Sequence, residues 1–156
     1  MKLIAHRGNI NGPNPDRENT ECYILEALSH GFMAEVDVWV INNQFYLGHD
    51  RAEYQTSLNF LANDNLICHA KNLAALERLL KFGIHCFYHQ NDDATLTSRG
   101  IPWLYPGNLC DLSIIVMPEW ESINYGSQTW LEYITNIECY GVCTDYPIKV
   151  KNCLNS

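Results

Sequence analysis

Residues 31–41 read GFMAEVDVWVI, and this stretch decides how the chain folds. Most of its side chains suit the interior of a sheet, but Glu35 and Asp37 lie within it, two positions apart. Side chains alternate between the two faces of a strand, so both carboxylates project from the same face. Two like charges on an apolar strand are costly unless a cation neutralises them. The stretch therefore predicts a buried strand whose two acids face a cation, such as the side chain of Arg7 or Lys71.

The composition bounds the class of protein. The chain has 156 residues, of which 47% are hydrophobic and 18% charged, which predicts one folded domain over residues 1–156. The net charge of −8 argues against a nucleic-acid scaffold and against binding to an anionic membrane. The apolar part of MKLIAHRG, residues 1–8, is too short for a signal peptide, and no later run approaches the roughly 18 apolar residues of a spanning helix. We expect a cytoplasmic protein without membrane insertion.

The cysteines agree with that expectation. There are seven, an odd number, and they are scattered along the chain. This usage is typical of reduced, partly buried thiols in a cytosolic protein. Cys139 and Cys143 are close in sequence, but the three-residue gap between them lies on a predicted strand and no second pair accompanies them, so a zinc site there is disfavoured.

Short apolar runs alternate with helical segments along the chain. Helices are predicted at 19–31, 72–83 and 127–137, the first two with Asn or Thr as N-cap and Gly as the stop. Asn42 and Asn43 predict a hairpin turn between the second and third strands. The predicted strands are 2–6, 33–41, 44–48, 66–71, 84–90, 102–105, 113–117 and 140–144.

This alternation implies parallel strands in an α/β fold. A complete (β/α)₈ barrel usually needs about 200 residues or more, and the links at 90–102 and 105–113 are too short for crossover helices. We therefore expect a reduced or distorted TIM-type barrel with seven or eight mostly parallel strands and missing outer helices. A homodimer is one way to bury the strands that lack a covering helix.

Polar residues gather where the predicted strands end. The carboxyl ends of parallel strands are where barrels and open α/β sheets place their active sites. One such residue alone is usually solvated, but several strands ending this way predict a site. The residues are His6, Arg7, Glu35, Asp37, His49, Asp50, His69, Lys71, His89 and Asp145.

The order of these residues resembles the glycerophosphodiester phosphodiesterases and the related phosphatidylinositol-specific phospholipase C and sphingomyelinase D groups. The motifs are AHRGN at 5–9, ENT at 18–20, EVDV at 35–38, GHD at 48–50 and TDYP at 144–147. Each motif alone is common, but their order and spacing together are specific. The resemblance is close over residues 1–50 and loose over 66–71 and 140–147. The middle of the chain, including HQNDDATLTSRGIPWLYPG at 89–107, does not map, which suggests a small phage or bacterial branch.

The resemblance implies a metal-dependent phosphoric diester hydrolase acting on glycerophosphodiesters of lipid metabolism. It implies one divalent ion at Glu35 and Asp37, with Mg²⁺, Ca²⁺, Mn²⁺ and Zn²⁺ all open. His6 and His49 would be the acid and base, since imidazoles titrate near neutral pH. Arg7 would hold the phosphate, and Lys71 would add positive charge. The direction of proton transfer stays open, as does the choice between hydrolysis and a cyclising lyase reaction.

The chain departs from the family at one position. The family usually supplies a third carboxylate from ExK or DxK on the third strand, whereas this sequence has HAK at 69–71. His69 is therefore predicted as the third ligand, which suits Mn²⁺, Zn²⁺ or Co²⁺ better than Ca²⁺. The alternative is that His69 contacts phosphate and water completes the ligand set.

Four further residues, Glu18, Asp50, His89 and Asp145, are predicted near the pocket, with Glu18 ordering the HRG loop. Trp103, Tyr105 and Trp120 are expected in the core or at the rim. The lack of a membrane anchor favours a small soluble diester as substrate. The alternative function is an inactive phosphate- or nucleotide-binding module on the same fold, because so short a chain could lack the loops that bind the alcohol. The retained histidines, carboxylates, Arg7 and Lys71 favour the enzyme.

Overall fold

The computed structural model describes residues 1–106, 108–120 and 123–156. Ten strands and five helices lie in these ranges. The strands are β1 (Lys2–His6), β2 (Met33–Ile41), β3 (Gln44–Leu47), β4 (Tyr54–Thr56), β5 (Leu66–Ala70), β6 (Cys86–Phe87), β7 (Ala94–Leu96), β8 (Pro102–Leu104), β9 (Ile114–Val116) and β10 (Gly141–Thr144). The helices are α1 (Glu21–Ser29), α2 (Leu58–Leu61), α3 (Leu73–Lys81), α4 (Trp130–Thr135) and α5 (Pro147–Leu154).

The strands form one mixed sheet in which most pairings are parallel. The parallel series runs β6-β5-β2-β1-β10-β9-β8. β3 and β4 extend β2 by antiparallel pairing, and β7 pairs antiparallel with β8. This confirms the α/β class and the mostly parallel sheet. Within the described ranges no ladder joins β6 to β8, so the closed barrel stays a prediction.

β2 pairs with three neighbouring strands, β1, β3 and β5. Residues 34–38 are all buried, as the apolar pattern predicted. The parallel register places His6 of β1 opposite Glu35, and His69 of β5 opposite Asp37. The polar side chains of three adjacent strands therefore meet at one level.

Apolar side chains fill both faces of the sheet. On the outer face, α1 and α3 pack against β2 through buried residues that include Ile24, Ala27 and Leu79. On the inner face, a second cluster joins residues of the two ends of the parallel series. Its Phe87 and Trp103 rings stack with centroids 4.3 Å apart, so side chains bridge β6 and β8 although their backbones do not pair.

The turns and caps follow local sequence rules. Asn42 and Asn43 both have left-handed φ values, 47° and 67°, as a tight hairpin requires. Thr20, one of the two residues considered, is the N-cap of α1, and Asn72 caps α3. Among the helices of the described ranges, none has the length and apolar character needed to span a bilayer.

Candidate active site

A cavity of about 670 Å³ opens at the carboxyl ends of the parallel strands. It lies where parallel α/β sheets usually hold their ligands. Its wall includes eight of the ten residues predicted from the strand ends. The eight are His6, Arg7, Glu35, Asp37, His49, His69, Lys71 and His89.

Asp37 is the most heavily contacted carboxylate of the cavity, and its side chain is only 1% exposed. Burial alone would raise its pKa, but hydrogen bonds from His49 and His69 and the charge of Lys71 hold the pKa well below its ordinary 3.8. Asp37 is therefore ionised and already compensated by protein groups. Its contacts are Asn19 Nδ2 at 3.0 Å, His49 Nδ1 and His69 Nδ1 at 3.1 Å, Lys71 Nζ at 3.2 Å and Arg7 Nε at 3.3 Å.

Glu35 has a different environment although it shares the strand face. One oxygen accepts the Arg7 backbone N–H at 3.2 Å, and the other lies 3.8 Å from His69 Nδ1. In the described part of the chain, no Lys or Arg side-chain nitrogen lies within 4.0 Å of it. Burial, and then the charge of Asp37, raise the pKa of Glu35 above its ordinary 4.5. Of the two acids on β2, Glu35 is thus the one whose charge the protein compensates less.

Glu35, Asp37 and His69 form a buried group that could hold a metal ion. Each offers one ligand atom, and these atoms lie within 4.8 Å of one another. Two carboxylates and an imidazole suit borderline divalent ions. The sequence left two kinds of cation open for this strand, a basic side chain and a metal ion. Arg7 and Lys71 compensate the charge of Asp37, and an added ion could compensate the charge of Glu35.

His6 is held by a carboxylate that directly follows the neighbouring strand β10. Its Nδ1 lies 2.8 Å from Asp145 Oδ1, which also accepts a hydrogen bond from Asn9 Nδ2 at 2.8 Å. Glu119 supports this arrangement, since it accepts from the Asp145 backbone N–H at 2.7 Å. Burial alone would lower the pKa of His6, but the hydrogen bond to Asp145 and the charge of Glu35 raise it above 6.5.

Arg7 begins a tight loop that turns its side chain into the cavity. Its φ of 52° is left-handed, as is that of Gly8 at 86°, and such backbone strain is often found at functional sites. Arg7 Nη1 donates to Glu18 at 3.1 Å, and Nη2 lies 3.1 Å from His49 Nε2. Glu18 also accepts from Asn9 at 2.8 Å. Glu18 therefore contacts the loop that it was predicted to order.

His49 and Asp50 differ sharply in their surroundings. His49 Nδ1 faces Asp37, while its ring remains 41% exposed at the edge of the cavity. The Asp50 side chain is 94% exposed, and its nearest oxygen is 3.7 Å from His49 Nε2. Asp50 lines an adjoining cleft and is not among the residues that line the main cavity.

The wall opposite His6 and His49 is aromatic. The His89 ring stacks on His69 and is hydrogen-bonded to the Tyr105 hydroxyl. Burial, and then the charges of His69 and Lys71, lower the pKa of His89 to about 4, which keeps its ring neutral. Trp103 is buried in the core and also lines the cavity, as do Tyr105 and Trp120.

Three residues of the site were not assigned to it from the sequence. Asn9 and Asn19 lie inside the HRGN and ENT stretches, but Asn19 was considered only as a helix cap. In the structure Asn19 has a left-handed φ of 59° and bonds Asp37 through both its amide nitrogen and its oxygen. Glu119 has no local signal, because its partners, Thr144 and Asp145, lie about 25 residues away.

Comparisons with known proteins agree with the fold. No protein-family model matches the chain, and no curated protein matches it in sequence. A search of solved structures finds the crystal structure of a glycerophosphodiester phosphodiesterase from Agrobacterium tumefaciens str. C58. The likeness has a TM-score of 0.56 at 14% identity and covers 100% of both chains. The resemblance predicted from the motifs is thereby confirmed at the level of the fold, and the chain is an α/β protein with the fold of a glycerophosphodiester phosphodiesterase.

Proposed function

We propose that the protein is a metal-dependent phosphodiesterase that cleaves a small glycerophosphodiester-like substrate. One observation carries the proposal. Glu35 is buried with no Lys or Arg side-chain nitrogen within 4.0 Å in the described residues, beside Asp37 and His69, at a cavity that also presents two basic side chains and three further histidines. A carboxylate kept in this state costs stability unless a cation binds there.

The ion and the basic side chains would share the charge of the substrate. A divalent ion held by Glu35, Asp37 and His69 would supply Lewis-acid charge at a phosphoryl oxygen. Arg7 and Lys71 would bind the remaining phosphoryl oxygens and stabilise the charge that develops in the transition state. Arg7 can do so by exchanging its contact with His49 for one with phosphate, while Glu18 keeps hold of Nη1.

His6 and His49 would move the protons. The Asp145 contact favours the His6 tautomer with its proton on Nδ1, which leaves Nε2 as the reactive nitrogen. His49 Nε2 lies 3.1 Å from Arg7 Nη2, so movement of Arg7 onto phosphate would release it for proton transfer. One imidazole would take a proton from the attacking hydroxyl, and the other would protonate the leaving alcohol.

The proposal is tested by the products formed from glycerophosphodiesters. Chelated protein is supplied with Mg²⁺, Ca²⁺, Mn²⁺ or Zn²⁺ in turn, and ³¹P NMR follows the diester. We expect conversion that needs an added ion, with Mn²⁺ or Zn²⁺ favoured over Ca²⁺ because of the imidazole ligand. A phosphate monoester as first product indicates hydrolysis, and a cyclic phosphate indicates a lyase. No turnover with any ion would contradict the proposal.

The second candidate is a phosphate- or nucleotide-binding module without activity. The contacts of Lys71 and Arg7 with Asp37 favour this candidate, because basic side chains can compensate that carboxylate in place of a metal ion. The same NMR samples distinguish the two functions, because a binding module shifts the phosphorus resonance and leaves the diester intact.

A further inference from the structure

We propose that His89 and Tyr105 are positioning residues that orient the His69 imidazole as a metal ligand. The inference rests on the proposed metal site and deepens it. It concerns the position at which this sequence departs from the motif of the family it resembles, where imidazole stands in place of the usual carboxylate.

An imidazole ligand needs tighter orientation than a carboxylate. A carboxylate offers two equivalent oxygens and tolerates rotation, whereas each ring nitrogen of histidine offers one lone pair in the ring plane. Ligand histidines are usually held by a hydrogen bond from the second ring nitrogen to a carboxylate or carbonyl. A histidine that lacks this bond needs another restraint on its plane.

His69 has no such bond in the described part of the chain. Its Nδ1 faces Asp37 and Glu35, and its Nε2 has no hydrogen-bond partner there. The ring is instead covered from the β6 side by two rings, those of Phe87 and His89, whose own centroids are 6.0 Å apart. Its centroid lies 4.6 Å from that of Phe87 and 4.9 Å from that of His89, with interplanar angles of 14° and 13°.

The two covering rings are supported differently. Phe87 is buried and stacks in turn on the buried Trp103, so the core fixes it. His89 lies beyond the end of β6, and its restraint comes from the Tyr105 hydroxyl. Tyr105 directly follows β8, and its backbone N–H donates to the Asp93 carbonyl at 2.8 Å. The hydrogen bond between Tyr105 and His89 therefore links the end of β8 to the ring that covers His69, although β8 and β6 do not pair.

The test separates ring contact from hydrogen bonding. His89→Ala removes the covering ring, His89→Phe keeps a flat ring without the bond to Tyr105, and Tyr105→Phe removes the hydroxyl alone. Tyr125→Phe is the matched control, because it removes a tyrosine hydroxyl bonded to the Pro118 carbonyl outside the cavity wall. Mn²⁺ affinity is measured by calorimetry, and the His69 imidazole is followed by ¹⁵N NMR in the metal-free protein.

We expect His89→Ala to weaken Mn²⁺ binding about 10–100-fold, as loss of an orienting partner does elsewhere. Tyr105→Phe should weaken Mn²⁺ binding less than His89→Ala does. His89→Phe should recover much of the affinity lost in His89→Ala. The control, Tyr125→Phe, should bind Mn²⁺ as wild type does. The His69 ¹⁵N signals should broaden or shift in the same order. If His89→Ala does not fold, the comparison of Tyr105→Phe with Tyr125→Phe still decides the matter.

Two failures are distinguishable. Wild-type protein that binds no Mn²⁺ would overturn the metal site, and with it the ligand role of His69. Tight wild-type binding, with equal affinity and unchanged His69 signals in His89→Ala and Tyr105→Phe, would overturn only the positioning role.

Discussion

Glu35 and Asp37 lie two residues apart on one strand, yet their charges have opposite consequences for stability. Asp37 is ionised at a lowered pKa because histidines and Lys71 surround it. Glu35 has a raised pKa because burial and Asp37 both oppose its ionisation. At the residue scale, then, metal binding is expected to compensate an acid that destabilises the metal-free fold.

The first prediction compares Glu35→Gln with Asp37→Asn in metal-free protein near neutral pH. The folded pKa of Glu35 lies above its unfolded value, so stability is lost as pH rises through it, and Glu35→Gln should raise the free energy of unfolding. The folded pKa of Asp37 lies below its unfolded value, so its contribution is present above the unfolded pKa and lost as pH falls through the folded pKa. Asp37→Asn should therefore cost on the order of 3 kcal/mol, because buried cations lose their partner. Urea unfolding measures both, and shifts of the same sign would contradict this account.

The second prediction concerns His6 and Asp145. His6→Ala should lower kcat by about 10²–10⁴-fold, as loss of one proton-transfer group does. Asp145→Asn should cause a loss of similar order, because an amide can hold the imidazole in the wrong tautomer. A nitrophenyl ester, whose leaving group needs no proton, should rescue whichever of His6→Ala and His49→Ala lacks the general acid. Asp64→Asn, at an exposed position, is the control. Equal rates in all variants would contradict the proposed roles of His6 and His49.

At the element scale, β2 and the helices beside it were predictable because their signals are local. The 33–41 strand, the Asn-Asn turn and the two glycine-terminated helices each follow from neighbouring residues. β4 and β7 were not predicted, because they are short, largely exposed and defined by pairing with other strands. Helices α2 and α5 were missed for a related reason, since α2 has only four residues and α5 follows directly from the TDYP motif.

The candidate site was predictable to a similar extent. The motifs identified seven of the eight charged or histidine side chains of the cavity wall, because each motif is contiguous in sequence. The support from Asn19 to Asp37 and from Glu119 to Asp145 depends on contacts between separate loops and strands. Only the fold brings those residues together.

The third prediction concerns Asn72, which joins α3 to the sheet. Its side chain accepts from the Ala75 N–H at 2.8 Å and donates to the Val40 carbonyl at 3.0 Å. Asn72→Ala should therefore lower the free energy of unfolding by about 2 kcal/mol, the upper end for an N-cap. Ser57, which caps the short α2 through the Phe60 N–H at 3.1 Å, is the matched control, and Ser57→Ala should cost at most about 1 kcal/mol. Equal losses in denaturant unfolding would show that the bond to β2 contributes nothing.

At the scale of the whole molecule, the sheet leaves a second cleft beside the main cavity. This cleft, of about 530 Å³, shares Tyr105 and Trp120 with the cavity and adds Asp92 and Asp93. No Lys or Arg is among its described lining residues. It offers room for the alcohol of a diester. The single domain, the cytoplasmic location and the homodimer stay predictions.

The fourth prediction follows from the charge of this cleft. Aromatic faces and carboxylates attract an ammonium group and repel an anion. A choline ester should therefore have a lower KM than a glycerol ester, and an ester with an added carboxylate should have the highest, with steps of up to about tenfold. The double variant Asp92→Asn, Asp93→Asn should reduce these differences in steady-state kinetics. Equal KM values for all three esters in wild type would contradict the expected selectivity.

The most direct test of the proposed activity is a titration of chelated protein with a single divalent ion. Cleavage of a glycerophosphodiester and calorimetric binding of the same ion are measured in parallel, for wild type and for Glu35→Gln. The metal-site account predicts one ion bound per chain, a rate that rises with occupancy, and loss of both in the variant. Full cleavage in the presence of chelator, or a Glu35→Gln protein that binds the ion and cleaves as fast as wild type, would contradict it.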